Sequence, residues 1–187
     1  MATSFTTLQT NPREVDKAVQ WYQAQIKQLG TLNPQNIMKE RERLTTRILP
    51  GKMYLFFYDP KNKDTLPYYD RFPLVLPFRK MPDGFIGLNL HYLPYLARFK
   101  LLGYLADYLN NDKLDETSKL QISWKILNSS SRLSPMNACV KRYLADHVES
   151  KFYDVPVNSW ITAALLPVER FVGANKSAIW RDSRNKY

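Results

Sequence analysis

Few side chains in this sequence could form or break bonds. It has one cysteine, Cys139, and two histidines, His91 and His147. Cys-His chemistry needs the thiolate beside an imidazole base. Cys139 precedes His147 by eight residues, two turns if both sit on one helix, and no local nucleophile signature surrounds either. The thiol therefore reads as a small buried hydrophobe. His91 sits among Leu88, Leu90 and Tyr92 and reads as a structural, hydrogen-bonded histidine in a strand. Asp59, Asp64 and Asp70 flank a polar insert, and Asp59-Pro60-Lys61 has the D-x-K form of a metal-dependent nuclease. Two-metal chemistry needs carboxylates converging on ions about 4 Å apart. Pro60 instead reads as loop punctuation, which places this tripeptide in a turn. One cysteine and two histidines leave no zinc-finger spacing, and the six glycines form no phosphate loop. No cofactor, no metal and no enzymatic activity are expected.

The cations remain. Across 187 residues, 27 Lys and Arg face 17 Asp and Glu, a formal charge of +10. The excess is +3 over residues 1–48, +2 over 49–94 and +5 over 95–187, so it is no polybasic tail. The candidate nucleic-acid-binding set is Lys125, Arg132, Lys141, Arg142, Arg170, Lys176, Trp180, Arg181, Arg184 and Lys186. Such groups neutralise backbone phosphates without reading sequence, and a tryptophan among them could stack on an exposed base. The competing reading is of ordinary solvated charges, with Trp180 in the core.

These groups need elements to hold them. A hydrophobic content of 44% excludes a disordered chain, and a lone cysteine excludes an intramolecular disulfide framework, which suits a reducing compartment. Residues 1–10 read as a flexible arm, and 11–48 as N-terminal helices. Asn11-Pro12 starts the first, with Val15, Ala18, Val19, Tyr22 and Ile26 on one face and Gly30 as its stop. A second runs from Asn33-Pro34 to about Leu44. Residues 49–94 read as a small antiparallel β module with strands at Lys52–Asp59, Phe72–Lys80 and Gly84–Tyr92. Twelve of the 25 aromatics fall between Tyr54 and Phe99, a density suited to a bent sheet or a small SH3-like barrel. Pro73 and Pro77 must then sit at a strand start, an edge or a bulge. Residues 95–187 read as a helical region, with helices at Tyr95–Leu109, Asp115–Leu127, Pro135–Lys151, Asn158–Leu166 and Lys176–Asn185. The fold class is α+β, a bent antiparallel sheet flanked by N- and C-terminal helices, in a single compact unit. No secretory signal and no membrane partner are expected.

The strings KMYLFFYDPKNKDTLPYYDRFPLVLPF and GFIGLNLHYLPYLARFKLL, with the tail WITAALLPVERFVGANKSAIWRD, resemble a virion-protein family of T4-like tailed phages, the DNA end protectors that complete the packaged head. The resemblance covers about two-fifths of the chain and includes no catalytic signature. It implies a protein of the virion, assembled in the host cytoplasm, that sits at the portal and shields duplex DNA ends from exonuclease. Its partners would be those ends, contacted through the backbone, and other proteins of head, neck or tail. A structural connector of neck, tail or baseplate is the alternative reading, and a metal-dependent nuclease a second alternative.

Overall fold

A computed structural model describes residues 12–28, 33–109, 111–130 and 134–185. The arm at 1–10 and the stop at Gly30 lie outside these. Helix α1, Pro12–Gln28, begins on its proline and turns Val15, Val19 and Ile26 inward, where they meet Phe99 and Leu165. Asn33 caps α2, Pro34–Ile37, by accepting the Gln35 N–H at 3.0 Å. The helix expected to reach Leu44 stops there. Lys39–Arg43 offers no apolar face to bury, and after a 3-10 turn at Arg41–Arg43 the chain extends into β1, Leu44–Thr45.

The strands that follow are β2 (Tyr54–Leu55), β3 (Tyr69–Asp70), β4 (Leu74–Met81) and β5 (Gly84–Asn89). Next come a 3-10 turn at Leu90–Tyr92 and helices α3 (Tyr95–Leu109), α4 (Glu116–Ser130) and α5 (Ser134–Asn137). The chain ends with β6 (Val140–Leu144), β7 (Phe152–Asp154), α6 (Trp160–Leu165), β8 (Phe171–Val172) and α7 (Lys176–Asn185). This is an α+β fold with an antiparallel sheet in the order β1-β7-β2-β4-β5-β6; β3 and β8 pair separately. The sheet is open: among the described residues no ladder joins β1 to β6, so it closes no SH3-like barrel.

The expected helix over Pro135–Lys151 is the main departure. Among the described residues only Ser134–Asn137 is α-helical there, with a 3-10 turn at Ala145–His147, and Val140–Leu144 pairs along β5 from Leu88↔Val140 to Gly84↔Leu144. Without β6, the second edge of β5 would leave a row of backbone donors and acceptors unpaired beside the core. That demand overrides local helical character. His91 shifts too, from the expected strand into the 3-10 turn after β5.

Alternating side chains divide the sheet into two faces. On one, Leu55, Leu74, Leu76 and Leu88 join Leu102, Leu105, Leu127, Trp160 and Ile179 of the helices in the main core. On the other, Tyr54, Phe56, Tyr58, Val75, Phe85 and Tyr143 form an aromatic cluster to which, among the described residues, no α-helix contributes a buried side chain. Pro73 immediately precedes β4, and Pro77 sits at a bulge where the register against β5 slips before Arg79, the two placements a proline tolerates.

Candidate nucleic-acid interface

The C-terminal cations lead into a buried polar centre. Asp70 accepts from the Phe72 and Arg170 amides, both at 3.1 Å, and lies 2.6 Å from His91 Nδ1. Burial pushes its carboxyl upward, but the His91 pairing and the two amides outweigh that and hold it below the usual carboxylate range. Arg98, fully buried, donates to the carbonyls of Leu93 and Ala164, each at 2.7 Å, and of His91 at 3.1 Å. The His91 carbonyl also accepts from Trp180 Nε1 at 2.9 Å. Glu169, with a side chain 7% exposed, pairs with Lys176 at 3.2 Å, and Lys176 also donates to the Tyr95 hydroxyl at 3.1 Å. Burial works to lower the Lys176 pKa, yet these two partners raise it overall.

Much of the basic set read from the sequence is therefore occupied. Trp180 is half-buried, with its N–H satisfied and its ring edge-on to Tyr95. Lys176 serves Glu169, Lys141 lies 4.1 Å from the centre of the Tyr92 ring, and Arg142 pairs with Asp83 at 2.6 Å. Arg170 is exposed and folds back onto the Glu169 carbonyl at 3.2 Å. Lys125 and Arg181 are exposed on α4 and α7. Arg184 is placed on α7 by its backbone, and Arg132 and Lys186 lie outside the described residues.

A different set of cations converges elsewhere. A groove of about 1110 Å³ opens between the loop after β1, the β4–β5 hairpin and the segment entering β7. Arg47, Arg79, Lys80 and Lys151 line it, all exposed, and among the described residues no ion pair engages them. Among the described residues the lining holds one carboxylate, Glu149, and it pairs with Arg71 at 3.3 Å. Leu49, Pro77, Phe85 and Phe152 supply apolar lining, with Phe85 and Phe152 belonging to the aromatic cluster. These cations come from positions up to 104 residues apart (47 to 151), which is why the sequence did not display them as a group. The one local signal was Arg79-Lys80 beside the Pro82-Asp83-Gly84 turn.

Among the described residues, bond-making chemistry has no comparable site. Cys139 and His147 stand at opposite ends of β6, a five-residue strand of about 17 Å, not on one helix. Burial raises the Cys139 thiol to about 12, and His147 Nδ1 lies 2.8 Å from the Asp59 carbonyl. Asp59 pairs with Lys63 at 2.7 Å at the start of a run of turns. Asp70 is sequestered with His91. Among the described residues no group of three His, Cys, Asp or Glu side chains could hold a metal ion. No curated protein and no solved structure matches the chain. Residues 8–183 match the family described as phage T4 terminal DNA protecting protein, and on a match over nearly its whole length the chain belongs to that family.

Proposed function

We propose that this protein binds the ends of linear duplex DNA packaged in a phage head, completes the head at the portal and blocks exonuclease without cutting DNA itself. Family membership across residues 8–183 carries the reading. A net charge of +10 supplies the sequence-independent attraction that such a role requires. Lys125 and Arg181, exposed on two helices, add to that field, while Lys141, Lys176 and Trp180 act mainly by holding the fold. The protein works in the virion after assembly in the host cytoplasm, against other proteins of head, neck or tail. Among the described residues no helix is long and apolar enough to cross a membrane.

The direct test is digestion of linear duplex by a processive exonuclease, with and without the purified protein. Protection that fades as salt rises from about 50 to 200 mM is the expected result. Equal digestion rates in both samples defeat the reading.

A further inference from the structure

We propose that the groove between the β1–β2 loop, the β4–β5 hairpin and the entry to β7 is where the protein holds a DNA end, with the terminal bases against its apolar lining and the flanking phosphates on Arg47, Arg79, Lys80 and Lys151. The inference rests on the DNA-end-binding function and assigns it a place on the molecule. Internal duplex presents phosphates, sugars and the edges of bases in its grooves, but no open base face. A duplex end adds the flat, apolar face of an unstacked base pair, which needs an apolar platform with cations at its margin.

The groove has both parts. Four exposed cations line it, and among the described residues no ion pair engages them; the neighbouring Glu149 is already paired with Arg71. Leu49 is 47% exposed and lies on the same lining as Pro77, Phe85 and Phe152. The platform is firm. Phe85 is buried and stacked on Tyr143 with ring centres 5.2 Å apart, and Phe152 meets Phe56 edge-on at 5.0 Å. Gly51 N–H donates to the Pro77 carbonyl at 2.9 Å, fastening the loop after β1 to β4. A rigid site loses little conformational entropy on binding. In the C-terminal set, Lys176, Arg142 and Trp180 already have intramolecular partners.

The test compares the full-length protein with R79E/K80E, R47E/K151E and L49D. K100E/K113E serves as the control, because it alters two exposed cations off the groove and changes net charge as much as either pair. Binding is measured to a linear duplex and to a relaxed closed circle of the same sequence at about 100 mM salt, with circular dichroism confirming the fold of each variant. Each groove pair should weaken linear-duplex binding at least tenfold and abolish the preference for linear over circular DNA. L49D should reduce that preference while leaving circle binding within about threefold, and K100E/K113E should stay near wild type on both. Groove variants that fold and keep the wild-type preference for ends overturn the proposal, as does equal weakening by K100E/K113E. Groove variants that keep DNA binding but lose capture of a virion protein also overturn it. A wild-type protein that gives no protection from exonuclease defeats the function itself, a separate outcome.

Discussion

Arg98 carries a guanidinium into the interior and spends its donors on three backbone carbonyls, those of His91, Leu93 and Ala164. Those carbonyls belong to the 3-10 turn after β5, the approach to α3 and the body of α6, so one planar fork ties three elements together. A lysine cannot reproduce that fork. R98K should therefore cost about 3 kcal/mol or more, since each buried acceptor left unpaired costs about 1–3 kcal/mol; urea unfolding measures it, and a loss under 1 kcal/mol contradicts this account. Asp70 makes a pH-dependent contribution. Its folded-state pKa is depressed, so its stabilisation is present above the unfolded value of about 3.9 and is lost as pH falls through the folded value. D70N should cost about 1.5–3 kcal/mol at pH 7, and the gap to wild type should narrow steadily below about pH 4. A gap that stays constant from pH 7 to pH 3 would refute the linkage.

At the scale of elements, the β4–β5 hairpin does most to shape the candidate interface. β4 is buried from Leu74 through Phe78, and the bulge after Pro77 then leaves Arg79 and Lys80 exposed in succession. Pairing resumes regularly beyond the bulge, with Arg79 opposite Ile86 and Lys80 opposite Phe85, so these two cations leave opposite faces of the hairpin's exposed end. The far side of the hairpin is equally constrained, because a Cβ at Gly84 would stand 1.9 Å from the Tyr143 carbonyl oxygen on β6. G84A should therefore separate β5 from β6 or displace the hairpin tip, at a cost of roughly 1–3 kcal/mol. Thermal unfolding tests the cost, and amide exchange at Ala145, whose N–H donates to the Asp83 carbonyl at 2.9 Å, should quicken if the β5–β6 pairing is what yields. An unchanged melting temperature contradicts the close approach.

For the whole molecule, what matters is how +10 is distributed. Counterion release gives a log–log salt slope of about −0.9 per phosphate neutralised, so four groove cations predict about −4. A steeper slope would bring in exposed cations elsewhere, such as Lys125 and Arg181. Titration of linear duplex between about 50 and 200 mM salt measures the slope, and R79E/K80E should flatten it by about 2. A wild-type slope near −1 would mean that backbone phosphates are not what the protein holds.

Much was already determined by the sequence. Helix α1 follows from Pro12 and the Val15–Val19–Ile26 spacing, α7 matches the expected Lys176–Asn185, and β4 and β5 follow from aromatic and branched runs divided by Pro82-Asp83-Gly84. These signals are local, and the periodicity of burial writes them into neighbouring residues. Tertiary structure alone decided that Val140–Leu144 is a strand, because only the unpaired edge of β5 calls for one. It also decided which cations are available. Lys176, Arg142 and Trp180 look as free in the sequence as Arg47 and Lys151, and only folding brings Glu169, Asp83 and the His91 carbonyl to meet the first three. Charge is a property of composition, but its availability depends on what the fold places beside it.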